Sequence, residues 1–163
     1  MSPILSTGSF FNTSITPVSG DVSGSTVSRA IQLYLSSTFT TTGSYTAEKL
    51  PFNTLQDGFS DSGMYDSTNV RVNPYIPGFY VVIANCRYNT AINSLLQLYK
   101  NGSRVKNLDA GEGNSATERI GMGLVYCNGT TDYLEMYIVT QLSVTVESDS
   151  RTTSFSVYGP IDL

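Results

Sequence analysis

The chain has 163 residues, with 9 Lys and Arg against 13 Asp and Glu, no His, and a formal charge of −4. That length suits one domain, which removes roughly 70% of its unfolded surface from water. There is no basic block to gain from counterion release on phosphates, no imidazole for a triad or zinc cage, and no apolar run near the roughly 18 residues of a membrane span; nucleic acid and membrane are therefore not expected as partners.

Charged residues are only 13% of the chain, while 22 Ser and 19 Thr make up a quarter of it, so hydroxyls carry the polarity. The hydroxyls are unevenly placed. Residues 1–44 hold 19 Ser and Thr and two charges, Asp21 and Arg29. This segment is read as an extended N-terminal arm, with too little apolar surface to fold alone. Its anchors include Phe10, Phe11, Ile15 and Val18. The start, MSPILSTGSFF, lacks the basic and long apolar regions of a signal peptide, so the mature protein is expected to begin at Met1. Within the arm, Ala30 to Leu35 is the one stretch suited to a packed strand or helical turn, and Thr38 to Ser44 reads as a linker or edge strand.

From Tyr45 onwards strand signals recur between turns, and no helix is predicted. Phe79 to Tyr88 places Phe79, Val81 and Ile83 on one face and Tyr80, Val82, Ala84 and Cys86 on the other. Both faces are apolar, which predicts a central strand covered on two sides. Leu95 to Lys100 is a strand closed by Asn101-Gly102, a hairpin turn whose residues tolerate positive φ, and Arg104 to Leu108 returns. Asp109 to Ser115 is a Gly-rich loop. Ile120, Met122, Leu124 and Tyr126 line one strand face, with Asn128-Gly129 as the next turn. Asp132 to Gln141 alternates, Leu142, Val144 and Val146 continue the pattern, and Thr153 to Tyr158 closes with Phe155 and Val157 on one face. About eight strands make the fold all-β, an antiparallel jelly-roll β-sandwich over residues 45–163.

Eleven Tyr and no Trp point to self-association. A single sandwich buries one face per sheet, so aromatics on the opposite faces need a partner, and Tyr combines contact area with a polar tip. Tyr80, Tyr126, Tyr133, Tyr137 and Tyr158 are the candidate interface residues. The two cysteines, Cys86 and Cys127, lie in apolar strand runs; they are read as buried reduced thiols, with a bridge between neighbouring strands as the alternative.

Carboxylate pairs such as Asp57 with Asp61, or Asp132 with Glu135, have nothing sequence-local to separate them from turn and strand-edge residues. No enzyme activity is expected. Asp57, Asp61 and Asp66 share a loop with Gly58 and Gly63, but not at EF-hand spacing. No metal or cofactor is assigned. The loops 59–69 and 109–117 carry Tyr65, Asn69, Glu112 and Asn114, which suit stacking and hydrogen bonding to a sugar.

A further string is informative. Pro51-Phe52-Asn53-Thr54, Tyr65-Asp66-Ser67-Thr68, Val70-Arg71-Val72 and Pro77-Gly78-Phe79-Tyr80 occur in order, followed by Leu98-Tyr99-Lys100-Asn101-Gly102-Ser103, by Asn128-Gly129-Thr130-Thr131-Asp132-Tyr133-Leu134-Glu135 and by Thr153-Ser154-Phe155-Ser156. This order resembles the jelly rolls of complement globular heads and tumour-necrosis-factor-like proteins, over residues 45–160. The variants F-N-T, Y-K-N-G-S and N-G-T-T-D-Y-L-E look most like jelly-roll modules in structural proteins of tailed bacteriophages. The resemblance implies a homotrimer on the outer capsid surface of a virion, made in the host cytoplasm, that decorates the major capsid protein lattice. The arm residues Phe10, Phe11, Ile15 and Val18 would then dock on the capsid. The alternative it implies is the tip of a fibre or tailspike that binds a host-surface glycan.

Overall fold

The computed structural model describes residues 29–58, 60–111 and 117–161. Phe10, Phe11, Ile15, Val18, Glu112 and Asn114 lie outside the described residues.

Thirteen strands follow one another: β1 (Arg29–Tyr34), β2 (Phe39–Thr40), β3 (Ala47–Lys49), β4 (Thr54–Leu55), β5 (Tyr65–Asp66), β6 (Arg71–Val72), β7 (Gly78–Arg87), β8 (Ser94–Lys100), β9 (Ser103–Gly111), β10 (Glu118–Cys127), β11 (Leu134–Thr140), β12 (Thr145–Val146) and β13 (Ser154–Ile161). One 3-10 turn, Ser62–Met64, precedes β5. The strands form a five-stranded sheet in the order β10-β7-β13-β1-β4 and a six-stranded sheet that includes β5-β6-β11-β8-β9, with β3 also on β11. All the pairings are antiparallel. The predicted all-β, antiparallel sandwich is the observed architecture.

Period-two alternation builds the core between the sheets. Ile31, Leu33, Tyr80, Val82, Ala84, Cys86, Phe155 and Val157 come from the five-stranded sheet, and Val72, Leu96, Leu98, Leu134, Met136 and Ile138 from the other; all are buried. The boundary expected at residue 44 therefore falls inside the sandwich. β1 lies between β13 and β4, pairing with β13 from Arg29 to Tyr34, and Ile31, Leu33 and Leu35 are in the core. Thr41, also within the expected arm, is buried and bonds to Thr140 Oγ1 at 2.9 Å and to the Val144 backbone N–H at 3.1 Å. Only Ile31 and Leu33 of β1 point inward, few enough for the low charge and abundant hydroxyls around it to mask an interior strand. Further along, β11 stops at Thr140, and β12 crosses to pair with β2, leaving Leu142 exposed between them.

The sandwich is closed along one flank by β9 and β10, and Gly121 and Gly123 on the inward side of β10 allow it. A Cβ at Gly121 would stand 2.6 Å from the Leu108 carbonyl carbon, and one at Gly123 would stand 2.7 Å from Leu108 Cδ2. Gly121→Ala is expected to destabilise the fold by about 1–3 kcal/mol through this overlap with backbone. Gly123→Ala, which meets only side-chain atoms of Leu108 and Lys106, should cost less. Urea unfolding of the two variants beside the parent measures both; a Gly121→Ala midpoint equal to the parent would contradict the packing.

Candidate functional site

The face of the five-stranded sheet turned away from the core carries six of the ten large hydrophobic side chains exposed among the described residues. On β10, Ile120 and Met122 are 64% and 65% exposed, and Leu124 and Tyr126 are exposed beside them; on β7, Phe79 and Ile83 are exposed too. Antiparallel register sets Met122 opposite Ile83, Leu124 opposite Val81 and Tyr126 opposite Phe79. The last pair meets edge to face, with ring centroids 5.4 Å apart at 68°. Across β7 the same face changes character. Ser156 stands opposite Ile83 and Tyr158 opposite Val81, and β1 adds Ala30, Gln32 and Tyr34 opposite Tyr158, Ser156 and Ser154. One half is thus aliphatic and aromatic, the other hydroxyl and amide. A shallow cavity of about 270 Å³ opens at the β10 edge between Val81, Lys106, Met122, Gly123 and Leu124.

The five candidate interface tyrosines do not share this surface. Tyr126 and Tyr158 lie on it. Tyr80 does not: alternation turns it into the core with Val82 and Ala84, 1% exposed, where its hydroxyl donates to the Ile76 carbonyl at 2.7 Å and burial pushes its phenol up to about 12. Tyr137 belongs to the opposite sheet, where it stacks on Tyr99, and Tyr133 stands just before β11, its ring covered by the Arg71 guanidinium at 4.1 Å. The exposed apolar side chains beside Tyr126 are instead Ile120, Met122, Leu124, Phe79 and Ile83. The sequence signal was a second apolar face on Phe79–Tyr88 together with the apolar row Ile120, Met122, Leu124 and Tyr126.

The loop candidates are held in place by their neighbours. Tyr65 is half-buried against the core, and burial, with Asp66 beside it, raises its phenol. The Asn69 amide donates to Asp66 Oδ2 at 2.9 Å, and Arg71 Nε donates to the same oxygen at 2.9 Å. The Asn69 side-chain and backbone hydrogen bonds, helped by Arg71, hold the Asp66 carboxyl down to about 2.

The carboxylates singled out in the sequence are divided among separate contacts. Asp61 accepts from Gly63 N and from Tyr75 Oη and faces Arg29 at 3.7 Å. Asp132 joins the two Asn-Gly turns: it accepts from Asn101 Nδ2 at 2.6 Å, from Asn128 N at 2.9 Å and from Lys100 Nζ at 2.9 Å. Glu135 pairs with Lys49 at 2.5 Å on the outside of the six-stranded sheet. Among the described residues no group of three or more His, Cys, Asp or Glu side chains is placed to hold a metal ion. Cys86 and Cys127 are free and buried. The register excludes a bridge between them, because Cys86 stands opposite Arg119 and Cys127 opposite Gly78, at the two ends of the β7–β10 ladder. Burial pushes the Cys127 thiol up to about 12 and the Cys86 thiol well above its ordinary value.

Neither a family model nor a curated protein matches this sequence. Solved structures do match in fold. The Eiger TNF of S. frugiperda superposes with a TM-score of 0.54 at 9% identity, over 83% of this chain and 94% of that one. Two crystal structures of murine APRIL give 0.57 at 10% identity and 0.53 at 11%, each over 82% of this chain and 99% of theirs. The sandwich is therefore a tumour-necrosis-factor-like jelly roll. At such identities the likeness is one of fold, and function rests on the surfaces described above.

Asp132 supplies a pH test of the hairpin clamp. Burial alone would raise its carboxyl, but the hydrogen bonds from Asn101, Lys100 and Asn128 outweigh that and leave it below the ordinary range. Its contribution is then complete above the unfolded value of about 3.9 and is lost as the pH falls through the lower folded value. Asp132→Asn should lower the melting temperature near neutral pH and flatten the loss of stability below about pH 4. An acid limb as steep as the parent's would refute the clamp.

Proposed function

We propose that this chain is a non-enzymatic structural protein of a virion, which assembles as a homotrimer through the outward face of the five-stranded sheet and decorates the capsid of a tailed phage. The observation that carries the self-association is the exposed row Ile120, Met122, Leu124 and Tyr126 beside Phe79 and Ile83. Contiguous apolar surface of this kind on a folded chain marks an interaction site. The two unlike halves of the face favour a ring. A two-fold contact sets one patch against its own copy, whereas unlike surfaces join head to tail and close by rotation. The aliphatic half of one copy would meet the Tyr and Ser half of the next.

The capsid setting is supported by the ordered motifs from Pro51 to Ser156 that resemble phage jelly-roll modules. It is supported also by the Ser- and Thr-rich segment that precedes β1, whose anchors Phe10, Phe11, Ile15 and Val18 suit docking on the major capsid protein lattice. In this reading the protein belongs to the outer surface of the particle and is made in the host cytoplasm.

Replacing Met122 and Leu124 together by Lys should convert the trimer into monomers that keep the β-sheet circular dichroism, whereas Tyr137→Ala, on the opposite sheet, should remain trimeric. Light scattering behind size exclusion distinguishes these outcomes; a double variant that stays trimeric would refute the assigned face. For the capsid role, a chain lacking residues 1–28, which spares β1, should still trimerise but fail to bind undecorated heads. Full binding by that chain, or a handful of copies per particle instead of hundreds, would overturn decoration.

A further inference from the structure

The outward face of the six-stranded sheet has a different chemistry. Register aligns two cross-strand rows on it: Glu135, Tyr99 and Arg104 across β11, β8 and β9, and Lys49, Tyr137, Gln97 and Asn107 across β3, β11, β8 and β9. Tyr99 and Tyr137 are diagonal neighbours in these rows, and their rings stack with centroids 3.9 Å apart at 25°. Each ring fixes the other, so the pair is a rigid, half-exposed aromatic ridge formed before any ligand arrives.

The charges around it are unequally spent. Lys49 is paired with Glu135, and Arg71 with Asp66. Arg104, directly opposite Tyr99, is exposed and has no partner among the described residues. Of the neighbouring amides, Gln97 is buried and donates its Nε2 to Asn107 Oδ1 at 3.1 Å, which orients Asn107 and leaves the Asn107 Nδ2 donors unspent on an exposed side chain. The ridge is therefore flanked by one free guanidinium and one free amide, on a chain whose formal charge is −4.

We propose that this face binds an acidic polysaccharide, with a sugar ring against Tyr99 and Tyr137, its carboxylate on Arg104 and a hydroxyl on Asn107. The ligand class follows from the combination. A fixed aromatic surface suits the C–H face of a pyranose, a lone guanidinium suits a carboxylate in a charge-assisted fork, and the amide suits a hydroxyl. One unpaired cation beside the aromatic ridge of an acidic chain does not suit a polyphosphate, whose binding draws on many. The face lies on the opposite side of the sandwich from the proposed trimer contact, so the inference stands independently of self-association.

The test is isothermal titration of the full chain with polygalacturonate and with hyaluronate, using dextran as the neutral control and polyglutamate as the non-saccharide anion. Binding to at least one uronate polymer is expected, with dextran and polyglutamate at least tenfold weaker. Arg104→Gln, at an exposed position, should weaken uronate binding about tenfold and reduce its salt dependence. Tyr99→Ala should weaken it at least as much, while Tyr99→Phe, which keeps the ring and guards against misfolding, should stay within about threefold. No binding to either uronate, equal binding to polyglutamate, or unchanged affinity in folded Arg104→Gln and Tyr99→Ala proteins would each overturn the proposal.

Discussion

Strand β7 is apolar on both faces and β10 adds its own apolar side chains to the outward one, and the rest of the molecule is arranged around that fact. A strand pair with one apolar face is satisfied by a sandwich; one with two needs cover on each side. Tyr80, Val82, Ala84, Cys86 and Cys127 find it against the other sheet. Phe79, Ile83, Ile120, Met122, Leu124 and Tyr126 find none among the described residues. They lie at one end of the five-stranded sheet. That apolar surface runs to the β10 edge, and in the proposed ring it would meet the hydroxyl-bearing residues that lie across β13 and β1 of the next copy.

The flank where β9 meets β10 serves both purposes. Leu108 approaches the β10 backbone because Gly121 and Gly123 present no Cβ there. With inward glycines and outward Ile120, Met122 and Leu124, β10 puts nearly all its apolar volume on the surface. The six-stranded sheet shows the reverse pattern on its outside. Its charges are largely paired, its tyrosines stack on each other or under Arg71, and its exposed character is aromatic and polar. One fold therefore offers two outward faces of unlike chemistry.

The long strands were legible in the sequence because each repeats the alternation over seven or more residues, and Asn101-Gly102 adopts the left-handed turn conformation its composition predicts, with φ of 54° and 74°. Two-residue strands such as β4, β5, β6 and β12 are too short for periodicity to register. β1 was legible only as a stretch suited to a packed strand or a helical turn, because six residues with Ile31 and Leu33 inward do not decide the period and the Ser- and Thr-rich stretch before it favours an arm. Residue type misled where parity would have served. Tyr80 was grouped with Tyr126 for being a tyrosine near a strand, yet it shares its parity with Val82 and Ala84, which places it in the core. Assigning Tyr133 and Tyr137 to another surface required the sheet order, which pairs β11 with β8 and not with β7, and one chain's local pattern does not contain that pairing.

The coverage of the β7–β10 face is read most directly through its methionine. Met122 is 65% exposed on the single chain, while Met64 and Met136 are each 1% exposed, and sulfoxide formation follows access to the sulfur. Under dilute peroxide at concentrations where the protein is assembled, peptide mass spectrometry should find Met122 oxidised as slowly as Met64 and Met136, and faster once dilution separates the copies. Rapid oxidation of Met122 at every protein concentration would mean that the face is open to solvent, and the account of this protein as one covered by its own copies would be wrong.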